Sequence, residues 1–274
     1  MSPESAYSDE FFQKVDAQGQ SSARVVVPWL LQWHSLQSVL DVGCGRGAWL
    51  SVFLELGVPR VRGVDGPWVD PAQLLIPASS FSSTRLDRLE PEPRASHEFD
   101  LALCLEVAEH LPANQSAQLI AYLTSQAPVV LFSAAIPGQQ GTEHINEQWP
   151  EFWEALFRSH GHTRLDPVRP RVWRDSRVAW YYQQNLYVFV SEQALAESTI
   201  WQAELHLARS SPLTLIHPKV LHSQRSFLAA LRQLPTLLGQ ALQRRFWNKP
   251  SWPNAPAVIR PQSTSASQEI GEVG

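Results

Sequence analysis

The sequence predicts an α/β protein built on a mostly parallel, seven-stranded sheet flanked by helices, with a helical C-terminal appendage. Short apolar, β-branched runs alternate with runs of helical spacing from residue 38 onward. The first of these runs leads through a glycine-rich turn into a helix, and several later ones end on an acid.

Residues 1–35 are assigned to a helical N-terminal segment. Met1 to Gln20 is polar and lacks a basic region followed by an apolar stretch, so no signal peptide is expected. Ser38–Val42 reads as the first strand, and Ala48–Leu56 as a helix that stops at Gly57. A second strand is expected at Arg60–Val64, a third around Ser83–Leu86 before Asp87, and a fourth at Phe99–Cys104. A polar-faced helix over about 114–125 precedes a fifth strand, Val129–Ser133. Ala134–Gln148 has no period and contains Pro137, Gly138 and Gly141, so it reads as a loop beyond a strand's carboxyl end. A helix at Pro150–Ser159 follows, and strands near His162–Val168 and Asn185–Val190 close the sheet.

Residues 36–191 thus form the principal domain. Glu192–Ala208 and Val220–Arg245 read as helices of a basic appendage spanning 192–249, and 250–274, dominated by Pro, Ser, Ala and Gln, reads as disordered. The net charge is −4, but no acid occurs between Glu204 and Glu269. Residues 205–268 carry eight Lys or Arg, which leaves the rest of the chain at −12. Such an acidic body argues against a nucleic-acid partner. The basic amphipathic stretch from Val220 to Phe246 suits an anionic partner or a membrane surface, or packing with its arginines turned to water. Only Cys44 and Cys104 are present, both in apolar surroundings, which points to a reducing compartment and cytoplasmic residence, a position peripheral to the membrane being the alternative that the basic stretch leaves open. No apolar run reaches the about 18 residues of a membrane span.

Gly43, Gly45 and Gly47 stand where the first strand turns into a helix, the place where backbone can approach a nucleotide-like ligand closely. The loop alone does not name the ligand. Gly43-x-Gly45-x-x-Ala48 also satisfies a dinucleotide fingerprint, and Asp65 stands near the distance of its ribose-binding acid. What separates the readings is Asp41 before the first glycine, together with Glu106-Val107-Ala108-Glu109-His110 after the fourth strand.

With these motifs the sequence resembles the class I S-adenosylmethionine-dependent methyltransferases, in particular methyltransferase-domain proteins whose fourth strand ends in E-x-x-E-H. The resemblance covers about 36–190 and implies a Rossmann-like fold. It implies that Asp41 lies near the donor's methionine moiety, that Gly43, Cys44, Gly45 and Gly47 cradle the donor, and that Asp65 accepts from the ribose hydroxyls. It further implies that Asp87 meets the adenine amino group and that Leu105 lines the cofactor with its backbone. Glu106, Glu109, His110 and His144 are the acceptor-side candidates. In ubiquinone-biosynthesis and small-RNA 2′-O methyltransferases, which this segment resembles, E-x-x-E-H and a further histidine hold a divalent ion; an acid/base role without metal and a helix-capping role remain open.

The run from His144 to Trp153, and Trp173 with Trp180-Tyr181-Tyr182-Gln183-Gln184-Asn185, offers rings and amides suited to a sugar or aromatic acceptor. Trp149 and Trp180 are the candidates for the acceptor wall, while Trp153 and Phe157 suit the core. The leading reading is O-methylation of a hydroxylated small molecule, sugar or glycan. Alternatives are an RNA 2′-O-methyltransferase-like enzyme, a nicotinamide-dependent oxidoreductase and a non-catalytic cofactor-binding module.

Overall fold

The computed structural model describes residues 9–91, 97–208 and 212–220. Seven strands form one sheet in the order β3-β2-β1-β4-β5-β7-β6. They are β1 (Ser38–Val42), β2 (Arg60–Asp65), β3 (Phe81–Ser83), β4 (Leu101–Leu105), β5 (Val129–Ser133), β6 (His162–Leu165) and β7 (Tyr187–Ser191). The first five are mutually parallel, and β7 runs antiparallel to both β5 and β6. The chain winds outward in both directions from β1 and β4, so a crevice opens at their carboxyl ends.

The central strands β1, β4 and β5 are buried along their whole length, which is why they read as continuous apolar runs rather than alternating ones. Alternate side chains serve opposite faces. Val39, Leu101, Leu103, Val129 and Leu131 pack under α1 (Asp9–Trp33) and α2 (Ala48–Glu55). Leu40, Val42, Ala102, Cys104, Val130 and Phe132 pack under α3 (Ser116–Gln126) and α4 (Pro150–Ser159). By the same alternation Asp41, though buried, shares the face of Val39.

Several boundaries differ from those expected. The third strand lies at Phe81–Ser83, earlier than Ser83–Leu86, because Leu86–Arg88 forms a single helical turn. The fourth starts at Leu101, and β6 ends at Leu165 ahead of Asp166-Pro167, since proline lacks the N–H that a sheet ladder uses. Glu192–Ala208 is two helices, α7 (Glu192–Glu197) and α8 (Thr199–Ala208), parted at the extended Ser198. Two further short helices are α5 (Arg169–Val172) and α6 (Trp180–Asn185). The basic stretch beyond Val220 and the expected disordered tail lie outside the described residues. No helix among the described residues is long and apolar enough to cross a membrane.

Candidate active site

The loop after β1 is shaped by three glycines with positive φ: Gly43 at 81°, Gly45 at 54° and Gly47 at 87°. At Gly43 a side chain is excluded twice over, because a Cβ there would stand 2.4 Å from a methyl of Val107. The loop is tied to β2 by Gly43 N and Cys44 N, which both donate to Val64 O. The Cys44 side chain turns away beneath the loop onto Gly63, and burial pushes its thiol well above the ordinary range, so it packs rather than reacts.

Asp65, at the end of β2, accepts from Gly45 N at 2.7 Å through one carboxylate oxygen and from Gly66 N at 2.6 Å through the other. Burial raises its pKa, while these two donors and the Trp68 indole oppose the rise. Asp41 is raised to about 7, by burial first and by the neighbouring Asp65 second. Two buried acids side by side favour positive charge near them. Leu105 closes β4 with its side chain in the core. Asp87 lies four residues past β3 and is engaged by Arg85 at 3.0 and 2.8 Å.

The segment after β4 separates the two glutamates that look equivalent in sequence. Glu106 adopts a left-handed backbone conformation, φ 54°, and its N–H donates to Ser133 O. A non-glycine residue held there costs on the order of 1–3 kcal/mol and marks a place where neighbours dictate the geometry. Its carboxylate accepts from Gln139 Nε2 at 2.8 Å and Asn185 Nδ2 at 3.1 Å. Burial raises the Glu106 pKa, and the amides counter it.

Glu109 is fully buried, and neither of its carboxylate oxygens has a hydrogen-bond partner. Burial, with the charge of Glu106 second, drives its pKa well above the carboxylate range; its own backbone N–H and that of Ala135 lie near enough to oppose this but do not reach hydrogen-bond geometry. His110 is lowered to about 4, by burial and then by His144, and its Nδ1 is likewise unpartnered. The two imidazoles meet edge to face with centroids 4.9 Å apart. His144 Nε2 lies 4.0 Å from Glu109 Oε1.

The loop from 134 to 149 delivers His144. The Nε2 end of its imidazole packs against Gly141, where a Cβ would come within 2.2 Å of that nitrogen. Its Nδ1 meets Glu147 Oε1 at 3.1 Å. Glu147 itself accepts from Gly138 N at 2.7 Å and Gln140 N at 2.8 Å, so a fixed acceptor assigns the proton to Nδ1 and leaves Nε2 as a lone pair. Ile145 N and Asn146 N both donate to Glu109 O, which pins this loop to the segment after β4.

Thus Glu109, His110 and His144 present ligand atoms within 4.8 Å of one another, while Glu106 is held apart by amides. The orphaned oxygens and nitrogen, the convergent lone pairs and the carboxylate behind His144 fit a divalent cation. Sequence reasoning passed over Gln139 and gave Glu147 no role of its own. The only available signal was Glu147 three residues beyond His144 in the same loop. Gln184 and Asn185, expected among the amides facing an acceptor, are buried and spent on protein: Gln184 Nε2 donates to Gln139 Oε1 and Asn185 Oδ1. Trp149 is 43% exposed at the start of α4, whereas Trp153 and Phe157 are core residues. Trp180 is half-buried against Tyr181 and His217.

Against known proteins, a family model described as a methyltransferase domain matches residues 12–170. A search of curated protein sequences gives no match. Among solved structures, the chain is similar to magnesium protoporphyrin IX methyltransferase of Synechocystis PCC 6803, at 19% identity over 68% of this chain and 86% of that one, TM-score 0.46. It is similar to a sugar N-methyltransferase of Streptoalloteichus sp ATCC 53650, at 16% identity over 64% and 87%, TM-score 0.46. It is also similar to an amino pentose methyltransferase of Micromonospora echinaspora, at 16% identity over 67% and 97%, TM-score 0.45. The family match spans more than half of the chain and includes the glycine loop, the acids near the carboxyl ends of β1 and β2, and the Glu/His cluster. The chain belongs to the methyltransferase-domain family of class I S-adenosylmethionine-dependent enzymes.

Proposed function

We propose that this methyltransferase acts on a hydroxyl group of a small molecule, sugar or glycan, and that Glu109, His110 and His144 form the acceptor side of its site. The observation that carries this reading is the set of buried, unpartnered ligand atoms, both Glu109 oxygens and His110 Nδ1, clustered with His144. A hydroxyl is a poor nucleophile until its proton is drawn off, and a cluster of this kind does that.

On the donor side, Gly43, Cys44, Gly45 and Gly47 make the close backbone wall and Asp65 receives the ribose hydroxyls. Asp41 faces the cationic methionyl end, Leu105 lines the cofactor, and Asp87, released from Arg85, takes the adenine amino group. The buried acids Asp41 and Asp65 complement the positive charge of the sulfonium and ammonium groups. Transfer is an in-line displacement: the acceptor oxygen bonds to the methyl carbon, the carbon–sulfur bond breaks, and its electron pair stays on sulfur. The chain's task is alignment and proton removal.

A divalent ion would be held by Glu109, His110 and His144, two imidazoles and a carboxylate. Bound there, such an ion supplies a Lewis acid that makes a hydroxyl more acidic. Glu147 holds the His144 ring in register in either case. The contact between His144 and Glu147 also favours a second reading in which no metal takes part: His144 Nε2 accepts the hydroxyl proton, and Glu147 stabilises the imidazolium. Trp149, exposed at the mouth of the loop, supplies an acceptor wall.

The test is incubation with methyl-labelled donor and fractionated cell extract, followed by mass identification of the product. An O-methylated product is expected, and an N- or C-methylated one overturns the reading. Chelation with EDTA, then addition of Mn²⁺ or Mg²⁺, separates the two mechanisms. Activity lost and restored supports the metal reading, and activity retained supports His144 acting as the base.

A further inference from the structure

We propose that Trp68 competes with the donor's ribose for Asp65 and so sets the affinity of the donor site. The proposal rests on Asp65 as the ribose acid. A carboxylate offers about four lone-pair positions. In Asp65 two are filled by backbone donors, Gly45 N at 2.7 Å and Gly66 N at 2.6 Å, and a third by the side chain of Trp68. Two ribose hydroxyls need two positions, one more than remains. The backbone donors belong to the glycine loop and to the residue closing β2, so the group able to leave is the indole.

The surroundings of Trp68 suit that role. It lies in the connection between β2 and β3 and is 36% exposed, although it covers a buried glycine and a buried acid. The six-membered ring rests on Gly66, where a Cβ would come within 2.2 to 2.4 Å of three ring atoms. Glycine at 66 therefore lets a large ring lie close enough to reach the acid of the preceding residue. In the free protein the indole gives Asp65 a donor that burial demands. When the nucleoside enters, its hydroxyls take over, and the exposed ring swings aside without opening the core.

The experiment is calorimetric titration of the full-length chain and of its Trp68→Phe and Trp68→Ala variants with S-adenosylhomocysteine. Phenylalanine keeps a ring but has no N–H to compete, so Trp68→Phe is expected to bind on the order of three- to tenfold more tightly, the worth of one hydrogen bond. Trp68→Ala is expected to bind at least as tightly as the parent. Equal or weaker binding by Trp68→Phe overturns the proposal, because the indole would then be neutral or a supporting wall. Thermal melting of each variant checks that it is folded. Failure of the parent chain to bind S-adenosylhomocysteine would instead refute the donor reading of the loop and Asp65, and the proposal with it. A parent that binds while Trp68→Phe shows no gain refutes the competition alone.

Discussion

A single methyl group added at residue 43 has nowhere to go, while the same group at residue 57 meets open space. Both glycines have φ above +80°, so replacement by alanine carries a conformational cost of about 1–2 kcal/mol at either position. Only at Gly43 does the new Cβ also collide with Val107, at 2.4 and 2.8 Å. Gly57→Ala is therefore expected to lose about 1–2 kcal/mol, and Gly43→Ala on the order of 2–5 kcal/mol. Denaturant unfolding of the two variants checks the difference, and equal losses would contradict it. The glycine loop was legible in the sequence because the demand it meets is backbone, and backbone demands leave glycine as their mark. The division of labour between Glu106 and Glu109 was not. Their side chains are identical, and what separates them is a left-handed φ at one and an absence of partners at the other. A residue's identity does not encode either.

Arg169 ties together elements that sequence patterning treated separately. It opens α5 and is fully buried, with its guanidinium paired to Asp166 at 2.9 and 2.6 Å. It donates to the carbonyls of Gln184, Pro212 and Leu213 and lies over the Tyr187 ring at 4.2 Å. Tyr187 also donates its hydroxyl to Leu213 O. The segment 212–220 is fastened further by Thr214 to Glu151 and by His217 N to Gln184 Oε1. It thus reaches Glu106 through Gln184, Gln139 and Asn185. Arg169→Met strands the Asp166 carboxylate in the core and is expected to cost about 3–5 kcal/mol. Pairing it with Asp166→Leu removes the stranded charge, so the double variant is expected to lose less than the single one, as urea unfolding would show. The long apolar strands were readable as elements. β3 was misplaced because a three-residue edge strand, Phe81-Ser82-Ser83, carries almost no apolar pattern. The amide chain was unreadable because its members lie 46 and 79 residues apart along the sequence.

For the molecule as a whole, the site is a store of buried acid that responds to pH. The Asp41 pKa is raised from 3.8 to about 7, so the folded state holds a proton that the unfolded chain gives up. Its contribution to stability is complete below pH 4 and is lost as pH rises toward and through 7. Asp41→Asn removes this loss. The advantage of that variant over the parent is expected to grow from pH 4 to pH 7, by up to about 4 kcal/mol in all, and to level off above pH 7. Melting both proteins at each pH is the check, and a gap that stays flat or narrows contradicts it. Buried His110, lowered to about 4, works in the opposite sense, losing stability as pH falls from 6.5, which is why the comparison is made between variants and not on the parent's curve alone.

The reversed direction of β7 brings Gln184 and Asn185, which precede it, to the edge where β4 and β5 end. A parallel seventh strand would have left them at the far edge. On the ribosome Glu106 therefore waits about eighty residues for its amide partner Asn185. Because a domain folds as a unit, the left-handed turn at Glu106 gets its full set of neighbours only when the last strand of the sheet is in place.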